Sequence, residues 1–566
     1  MTRPTPLPSD LEIASAATLR PVAEVASDLG VAPEHVEPYG RDVAKIDLAA
    51  AANEPRGKYV VVSAITPTPL GEGKTTTVVG LTQALRRLGS NAVATLRQPS
   101  MGPTFGIKGG AAGGGYSQVV PMERLNLHLT GDFHAITAAH NLLAAAVDNH
   151  LHFGNELDLD LRNITWRRVM DVNDRSLRNI VVGMGARADG LVRETGFDIT
   201  AASEVMVLMT LATSYQDLRA RLGRIVVGYT GEGKPVSAED LGVAGAMAVI
   251  LRDALKPNLL QTLEGGPALV HCGPFGNIAT GTSSVVADQI ALSHADLVVT
   301  EAGFGADMGA ERFFNVKCRV GGLEPDAAVI VTTVRALKVH SGRYDIKAGR
   351  PLPESLLAEN PDEVRAGLDN LRAHIEIVRA FGVSPVVAIN AFPQDHDSEH
   401  EVIRELAAEM GVRCAVTRHV AEGGAGAEDL AREVLAAAEE PAAFIPTYAL
   451  EDSLTDKIEA IATQVYGADG VDYAPAAARA LATYENAGFG ELPVVIAKTH
   501  LSISSDPSLM GAPTGWRLPV REVRANVGAG YVYAIAGDMR TMPGLSRHPN
   551  AERIELSADG TITGLS

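Results

Sequence analysis

Cysteine is scarce in this chain: three residues in 566, Cys272, Cys318 and Cys414, far apart and odd in number. No CxxC pair is available for a cluster or a structural zinc, and reduced thiols in a cytoplasmic protein are expected. Positive charge is also short, with 49 Lys and Arg against 68 Asp and Glu for a net charge of −19. That balance argues against a general binder of nucleic acid or of anionic membrane, while a small anionic substrate answers to a local pocket. No apolar run is long enough to cross a bilayer, and the opening MTRPTPLPSD has no apolar signal core. Internal repeats and extended low-complexity segments are absent too. What remains, 46% hydrophobic and 21% charged residues, is the composition of a globular protein. At about 150 residues per domain, the length suits three or four domains' worth of sequence.

The chain is organised around residues 66–77, TPTPLGEGKTTT. Before them, Tyr59–Ile65 is a β-branched apolar run, bounded by Gly57 and Pro67, that reads as a buried strand. After them, Val78, Val79, Leu81, Ala84, Leu85 and Leu88 recur at helical spacing until Gly89, placed as a C-terminal cap. Strand, glycine-bearing loop, Lys74, Thr75 and helix form the arrangement of a phosphate-cradling loop. Thr68, Pro69, Leu70, Gly71, Glu72, Gly73, Lys74, Thr75 and Thr76 are therefore the expected nucleotide-binding residues, with the Thr75 hydroxyl a ligand for Mg²⁺. The usual first glycine would fall at Thr68, between prolines at 67 and 69.

Residues 10–55 read as short helices outside the sheet, with Leu11, Ile13 and Ala16, then Val22, Val25 and Leu29, at helical spacing. Ala92–Leu96 reads as a second strand, ending at Arg97 and Gln98. Strand–helix–strand units build parallel sheets, whose ligands sit beyond the strands' carboxyl ends. Residues 101–121 carry seven glycines from Gly102 to Gly115 but also Phe105, Ile107, Val119 and Val120. They read as a loop that lets backbone approach a ligand closely, with Gly106 a substrate-binding candidate and Arg97 and Lys108 favouring an anion. Asp132, ahead of an alanine-rich helix, reads as a positioned carboxylate. In LVVTEAGFGADMG, Glu301 stands at a strand end with Gly303, Gly305 and Gly309 beyond it. A Mg²⁺-linked carboxylate and a γ-phosphate-sensing loop belong there. The echo GEGK at 231–234 is followed by Pro235 and opens no helix, so it reads as a hairpin turn.

The fold expected is α/β: a phosphate-loop, mostly parallel sheet with helices on both faces, plus inserted and C-terminal α+β domains. The core falls at 1–149 and 260–395, an inserted α/β segment at 150–259, a further α/β segment at 396–440 and an α+β domain at 441–566. A phosphate loop, an arginine at a neighbouring strand end and a glycine-rich loop point to phosphoryl transfer to a small acid. A nucleotide-driven switch protein is the rival.

Eight stretches resemble one family, in order along nearly the whole chain: ITPTPLGEGKTTT, PTFGIKGGAAGGGYSQVVPME, GDFHAI, ETGFDITAASEVM, KPNLLQTLEGGPALVHCGPFGNIA, TEAGFGADMGAERFF, VRALKVHSG and GDMRTMPGL. The family is that of the formate–tetrahydrofolate ligases, or formyltetrahydrofolate synthetases. The resemblance implies ATP-dependent joining of formate to tetrahydrofolate through enzyme-bound formyl phosphate. It also implies a homotetramer, Mg²⁺ with the nucleotide and a stimulating monovalent cation such as K⁺. Carried onto this chain, Lys74 and Thr75 would hold phosphates and Mg²⁺, and Arg97 would bind formate and then formyl phosphate, beside the Gly303–Gly305 loop. Asp132 would assist proton loss from the attacking amine, Phe392 would lie against the pterin, and the 396–440 segment would border the folate site.

Two departures stand out. Gln98 takes the place of a glutamate linked to the cation. Val420, in HVAEGGAG, takes the place of a tryptophan that stacks on the pterin. The donor side is intact and the acceptor side altered, which leaves open a relative that makes an acyl phosphate for a different acceptor. His419 is expected to be able to swing in and stack in place of the tryptophan.

Overall fold

The computed structural model describes residues 7–51, 56–106, 112–347 and 351–565. Lys108 and Ile107 of the glycine-rich stretch lie outside them. Twelve strands form one sheet: β1 Val36–Pro38, β2 Ala44–Ile46, β3 Lys58–Ala64, β4 Ala92–Leu96, β5 Gly113–Gly114, β6 Ser117–Val120, β7 Asn258–Thr262, β8 Pro267–Val270, β9 Leu297–Glu301, β10 Ala327–Thr332, β11 Ser384–Asn390 and β12 Arg413–Thr417. Their order is β1-β2-β7-β8-β4-β9-β3-β10-β11-β12, with β6 paired to β7 and β5 to β6. From β8 to β12 every pairing is parallel.

The run that reads as a strand from sequence is buried on both faces, which explains its unbroken apolar character. Val60, Val62 and Ala64 face one core with Val78, Leu81 and Leu85 of helix α1, Lys74–Arg87. Tyr59 and Val61 face the other core, with Ile290, Phe313 and Phe314. Fully burying one such valine contributes about 1.5–3 kcal/mol, so the strand is fixed by its two layers and not by local propensity. Helix α1 closes at Gly89, whose φ of 94° suits glycine, with Ser90 N–H donating to Leu85 O. This is the cap expected from the sequence.

The antiparallel end of the sheet departs from the sequence reading. Helices Asp10–Ser15 and Val22–Leu29 form as expected. Residues 36–46, however, make the hairpin β1–β2, and β2 pairs with β7 through Lys45 and Asn258. A three-residue strand carries too little period to announce itself; its partner, over 200 positions away, specifies it.

A third core joins the inserted segment to the C-terminal part. Ile136, Leu143 and Val147 of helix α2, Asp132–His152, pack with Met206, Leu208, Met247, Val495 and Tyr531. GEGK at 231–234 is the turn between antiparallel strands Val226–Thr230 and Pro235–Ser237. The main sheet takes in β12, within the 396–440 segment, and begins β7 at Asn258, within the inserted segment.

Candidate active site

The phosphate loop leaves β3 and turns through Gly71 (φ 74°) and Gly73 (φ 81°), values that favour glycine. A Cβ on Gly73 would also lie 2.5 Å from Asn390 Nδ2. Thr68, where the standard pattern has glycine, braces the loop: its N–H and Oγ1 donate to Glu72 Oε1 at 2.9 and 3.0 Å. Asn390 Nδ2 donates to the Glu72 carbonyl at 3.0 Å, tying the loop to the end of β11. Burial pushes the Glu72 carboxyl up, with Lys74 pulling the other way. Glu72 Oε2 is buried without a hydrogen bond. Helix α1 starts at Lys74 with no side-chain cap, so its first N–H groups can receive an anion.

Three of the sequence-predicted residues are joined in one chain of contacts. Thr75 Oγ1 donates to Glu301 Oε2 at 2.7 Å, and Arg97 Nε donates to Glu301 Oε1 at 3.2 Å. Glu301, 2% exposed at the end of β9, thus bridges the phosphate loop and the arginine at the end of β4. Gly303 presses on Arg97: a Cβ there would stand 3.5 Å from both terminal guanidinium nitrogens. Phe304 follows with φ 62°, an uncommon conformation for a bulky residue, and its ring stacks on His500 at 4.6 Å. At Gly305 a Cβ would meet Asp307 Oδ1 at 2.6 Å, and Asp307 pairs with buried Lys498 at 2.6 Å. The loop beyond Glu301 is therefore held from both sides.

Behind the phosphate loop, Thr66 is wired into the interior. Its N–H donates to Asn370 Oδ1 at 3.1 Å, its hydroxyl meets His374 Nε2 at 2.9 Å, and its carbonyl faces His340 Nε2 at 2.8 Å. Burial lowers the His374 pKa to about 4. A cavity of about 150 Å³ lies against Pro67, Thr68 and Pro69 and shares His340, Tyr344 and Met510 with a larger, open one of about 770 Å³.

The remaining predicted residues lie in different surroundings. Gln98 is 2% exposed, and neither atom of its amide has a hydrogen-bond partner. Its backbone N–H donates to the carbonyl of Cys272, itself at φ 53°. Asp132 is buried with both oxygens engaged: Oδ1 with Lys45 Nζ at 2.6 Å and Oδ2 with Asn258 Nδ2 at 2.7 Å. Gly106 accepts the Asn550 N–H at 2.7 Å and packs on Asn173, among inserted and C-terminal residues.

Phe392 and Val420 follow neighbouring strands, paired through Asn390 and Thr417. Both are half-buried. The Arg335 guanidinium lies 3.4 Å from the centre of the Phe392 ring. Val420 lies against the glycine-rich loop, its carbonyl accepting the Tyr116 N–H at 2.9 Å. His419 cannot swing toward a ligand as the sequence suggested. It is fully buried, its Nδ1 is 2.8 Å from Thr417 Oγ1, and its Cβ touches the space above Gly80. Burial lowers its pKa to about 4.

Arg335, Asn390, Asn370 and His374 escaped the sequence reading. Arg335 and Asn390 stand at or just past the carboxyl ends of β10 and β11, where ligands of parallel sheets gather, and that position was the available signal. Asn370 and His374 lie on a helix, Leu368–Ala380, with no local mark of their role.

A mostly parallel sheet whose carboxyl edge carries this loop, this lysine–threonine helix start and a carboxylate-bridged arginine defines an α/β protein with helices on both faces of its sheet. The sequence profile of the formate–tetrahydrofolate ligase family matches residues 8–566. The chain is 68% identical to the formate–tetrahydrofolate ligase of Saccharopolyspora erythraea over 563 residues, 99% of this chain and 100% of the relative. It is 66% identical to that of Cutibacterium acnes, with 98% and 100% covered, and 57% identical to that of a Nocardioides species, with 99% and 100% covered. The chain belongs to the formate–tetrahydrofolate ligase family.

Proposed function

We propose that the protein joins formate to tetrahydrofolate at the expense of ATP, by way of formyl phosphate, giving 10-formyltetrahydrofolate, ADP and phosphate. The observation that supports this reading is the Thr75–Glu301–Arg97 chain of contacts, which brings Arg97, read here as the formate-binding residue, next to the loop read as the phosphate cradle. A formate oxygen attacks the γ-phosphorus, the bond to the β-phosphate oxygen breaks and ADP leaves. The folate amine then attacks the formyl carbon, phosphate leaves and the amine gives up a proton. Such chemistry asks the protein chiefly for positioning and charge stabilisation. Residues Thr68 to Thr76 hold the triphosphate, and Arg97 offers forked donors to formate and then to the acyl phosphate. The cavity beside Pro67 and Thr68 suits the nucleoside end.

Thr75 and Glu301 would hold Mg²⁺. One carboxylate and one hydroxyl, completed by phosphate oxygens, suit an ion that keeps few protein ligands. Mg²⁺ would supply charge neutralisation on the transferring phosphoryl group. At the K⁺ site the fit is partial, since the orphaned Gln98 amide oxygen offers a ligand without the full charge of a carboxylate. In this reading Asp132 takes the amine proton, and its pair with Lys45 must relay or open to do so. Phe392 stacks on the pterin, with Val420 and the backbone around Gly106 bordering the substrate. A cytoplasmic homotetramer completes the proposal.

The test is purified protein with ATP and formate, with and without tetrahydrofolate, followed for ADP and formylated product. Formylated folate and ADP in equal amounts support the reading. ADP released only with another amine acceptor would favour an acyl-phosphate enzyme of different specificity, and formate-independent turnover would favour a switch.

A further inference from the structure

We infer that Arg335 is a positioning residue for the acceptor, acting through the ring of Phe392; this rests on the reading of Phe392 as the acceptor's stacking surface. Arg335 is the second residue of helix α3, Val334–His340, which begins just beyond the carboxyl end of β10. That strand lies between β3, which feeds the phosphate loop, and β11, which leads to Phe392. Its guanidinium carbon lies over one face of Phe392, 3.4 Å from the ring centre. A flat ligand can therefore use only the opposite face.

Direct ion pairing does not account for the placement. Arg335 closes no ion pair among the described residues, although Glu72 and Asp395 both act on it electrostatically. Its Nε is buried without a hydrogen-bond partner. Burying a cation this way is costly, and the ring beneath it is the direct compensation on its face. The stack is a rigid plate: a planar cation holding a phenyl ring, backed by the anchored end of β11, where Asn390 bonds the phosphate loop. The neighbouring loop offers Val420, which has no aromatic face. The Arg335–Phe392 plate is thus a flat surface at the strand-end row, and Arg335 sets its orientation and which side it presents. A guanidinium suits this because it is planar as well as charged; a lysine supplies only the charge.

The experiment compares the parent with Arg335→Gln, Arg335→Lys, Phe392→Leu and the double variant Arg335→Gln/Phe392→Leu, measuring KM for tetrahydrofolate, formate and ATP together with kcat. Arg335→Gln is expected to raise KM for tetrahydrofolate about tenfold, the scale of a desolvated cation–ring contact. KM for ATP and formate should stay within about twofold, and Arg335→Lys should recover only part of the loss. In the Phe392→Leu background, Arg335→Gln should add little, because the two act as one unit. Additive effects in the double variant, or a rise in KM for ATP with KM for tetrahydrofolate unchanged, overturn the inference while leaving the proposed function standing. If Arg335→Gln does not fold, the Arg335→Lys comparison in both backgrounds decides by the same criteria. A parent without tetrahydrofolate-dependent turnover overturns both the proposed function and this inference.

Discussion

The two ends of the candidate active site are built differently. At the donor end, Glu301 and Arg97 stand at the ends of the adjacent strands β9 and β4, Thr75 stands in the helix that follows neighbouring β3, and the three are joined by the buried Glu301 carboxylate. The loops around them are pinned by Asn390, His374 and the Asp307–Lys498 pair. At the acceptor end, Phe392 and Val420 follow the last two strands, half-buried, and one face of the Phe392 ring lies under the Arg335 guanidinium. Positioning charge around a transferring phosphoryl group requires the rigidity of the first arrangement. Holding a flat ring requires surface, and at position 420 this chain has valine where the family resemblance implies tryptophan.

The largest expected effect falls at the donor end. Lys74→Ala should abolish ATP-dependent turnover while leaving the fold intact, because Lys74 opens helix α1 at the loop and is a member of none of the three hydrophobic cores. Near-parental turnover in the folded variant would remove the phosphate-loop assignment. Arg97→Ala should lower formate-dependent turnover by about a hundred- to a thousandfold, the usual loss when a positioned donor is removed from a developing charge. Its ATP affinity should be largely retained; collapse of ATP affinity with formate dependence kept would give Arg97 to the nucleotide.

Smaller effects sharpen the contrast. If Gln98 borders a cation, Gln98→Glu should raise K⁺ stimulation several-fold, since a carboxylate is the stronger ligand for a hard ion. KCl titrations of both forms at constant ionic strength decide it, and equal stimulation would take residue 98 out of the cation site. The smallest effect is on stability and touches both ends alike. His374 and His419 are kept neutral by burial, with pKa values lowered from 6.5 to about 4. In the unfolded chain each ring takes up a proton below about pH 6.5. Their contribution is therefore complete above that pH and lost as the pH falls toward 4. Thermal melts should show Tm falling from pH 7 to pH 5, with a shallower fall in His374→Gln and in His419→Gln. An unchanged slope in both would contradict it.

Much of the donor end was legible because its signals are local. A β-branched run, two glycines, Lys74–Thr75 and a helical period specify strand, loop and helix without tertiary information. Glu301 was readable from its place at a strand end. The edge hairpin at residues 36–46 was not, because its pairing partner is Asn258. Arg335 could not be placed on Phe392 from sequence, since 57 positions separate them and only the adjacency of β10 and β11 brings them together. The mobility expected of His419 failed for a similar reason: the space it fills is created by Gly80 in a helix more than 300 positions earlier.

The claim that the donor end is complete and the acceptor end one-sided is tested most directly by calorimetric titration of monoglutamyl tetrahydrofolate into the parent and into Val420→Trp. A missing aromatic face with its buried area is worth about 1–3 kcal/mol, or roughly ten- to over a hundredfold in affinity. The account predicts weak binding by the parent and a gain of that order on introducing tryptophan, with ATP affinity the same in both. Tight binding by the parent and no gain in Val420→Trp would contradict it.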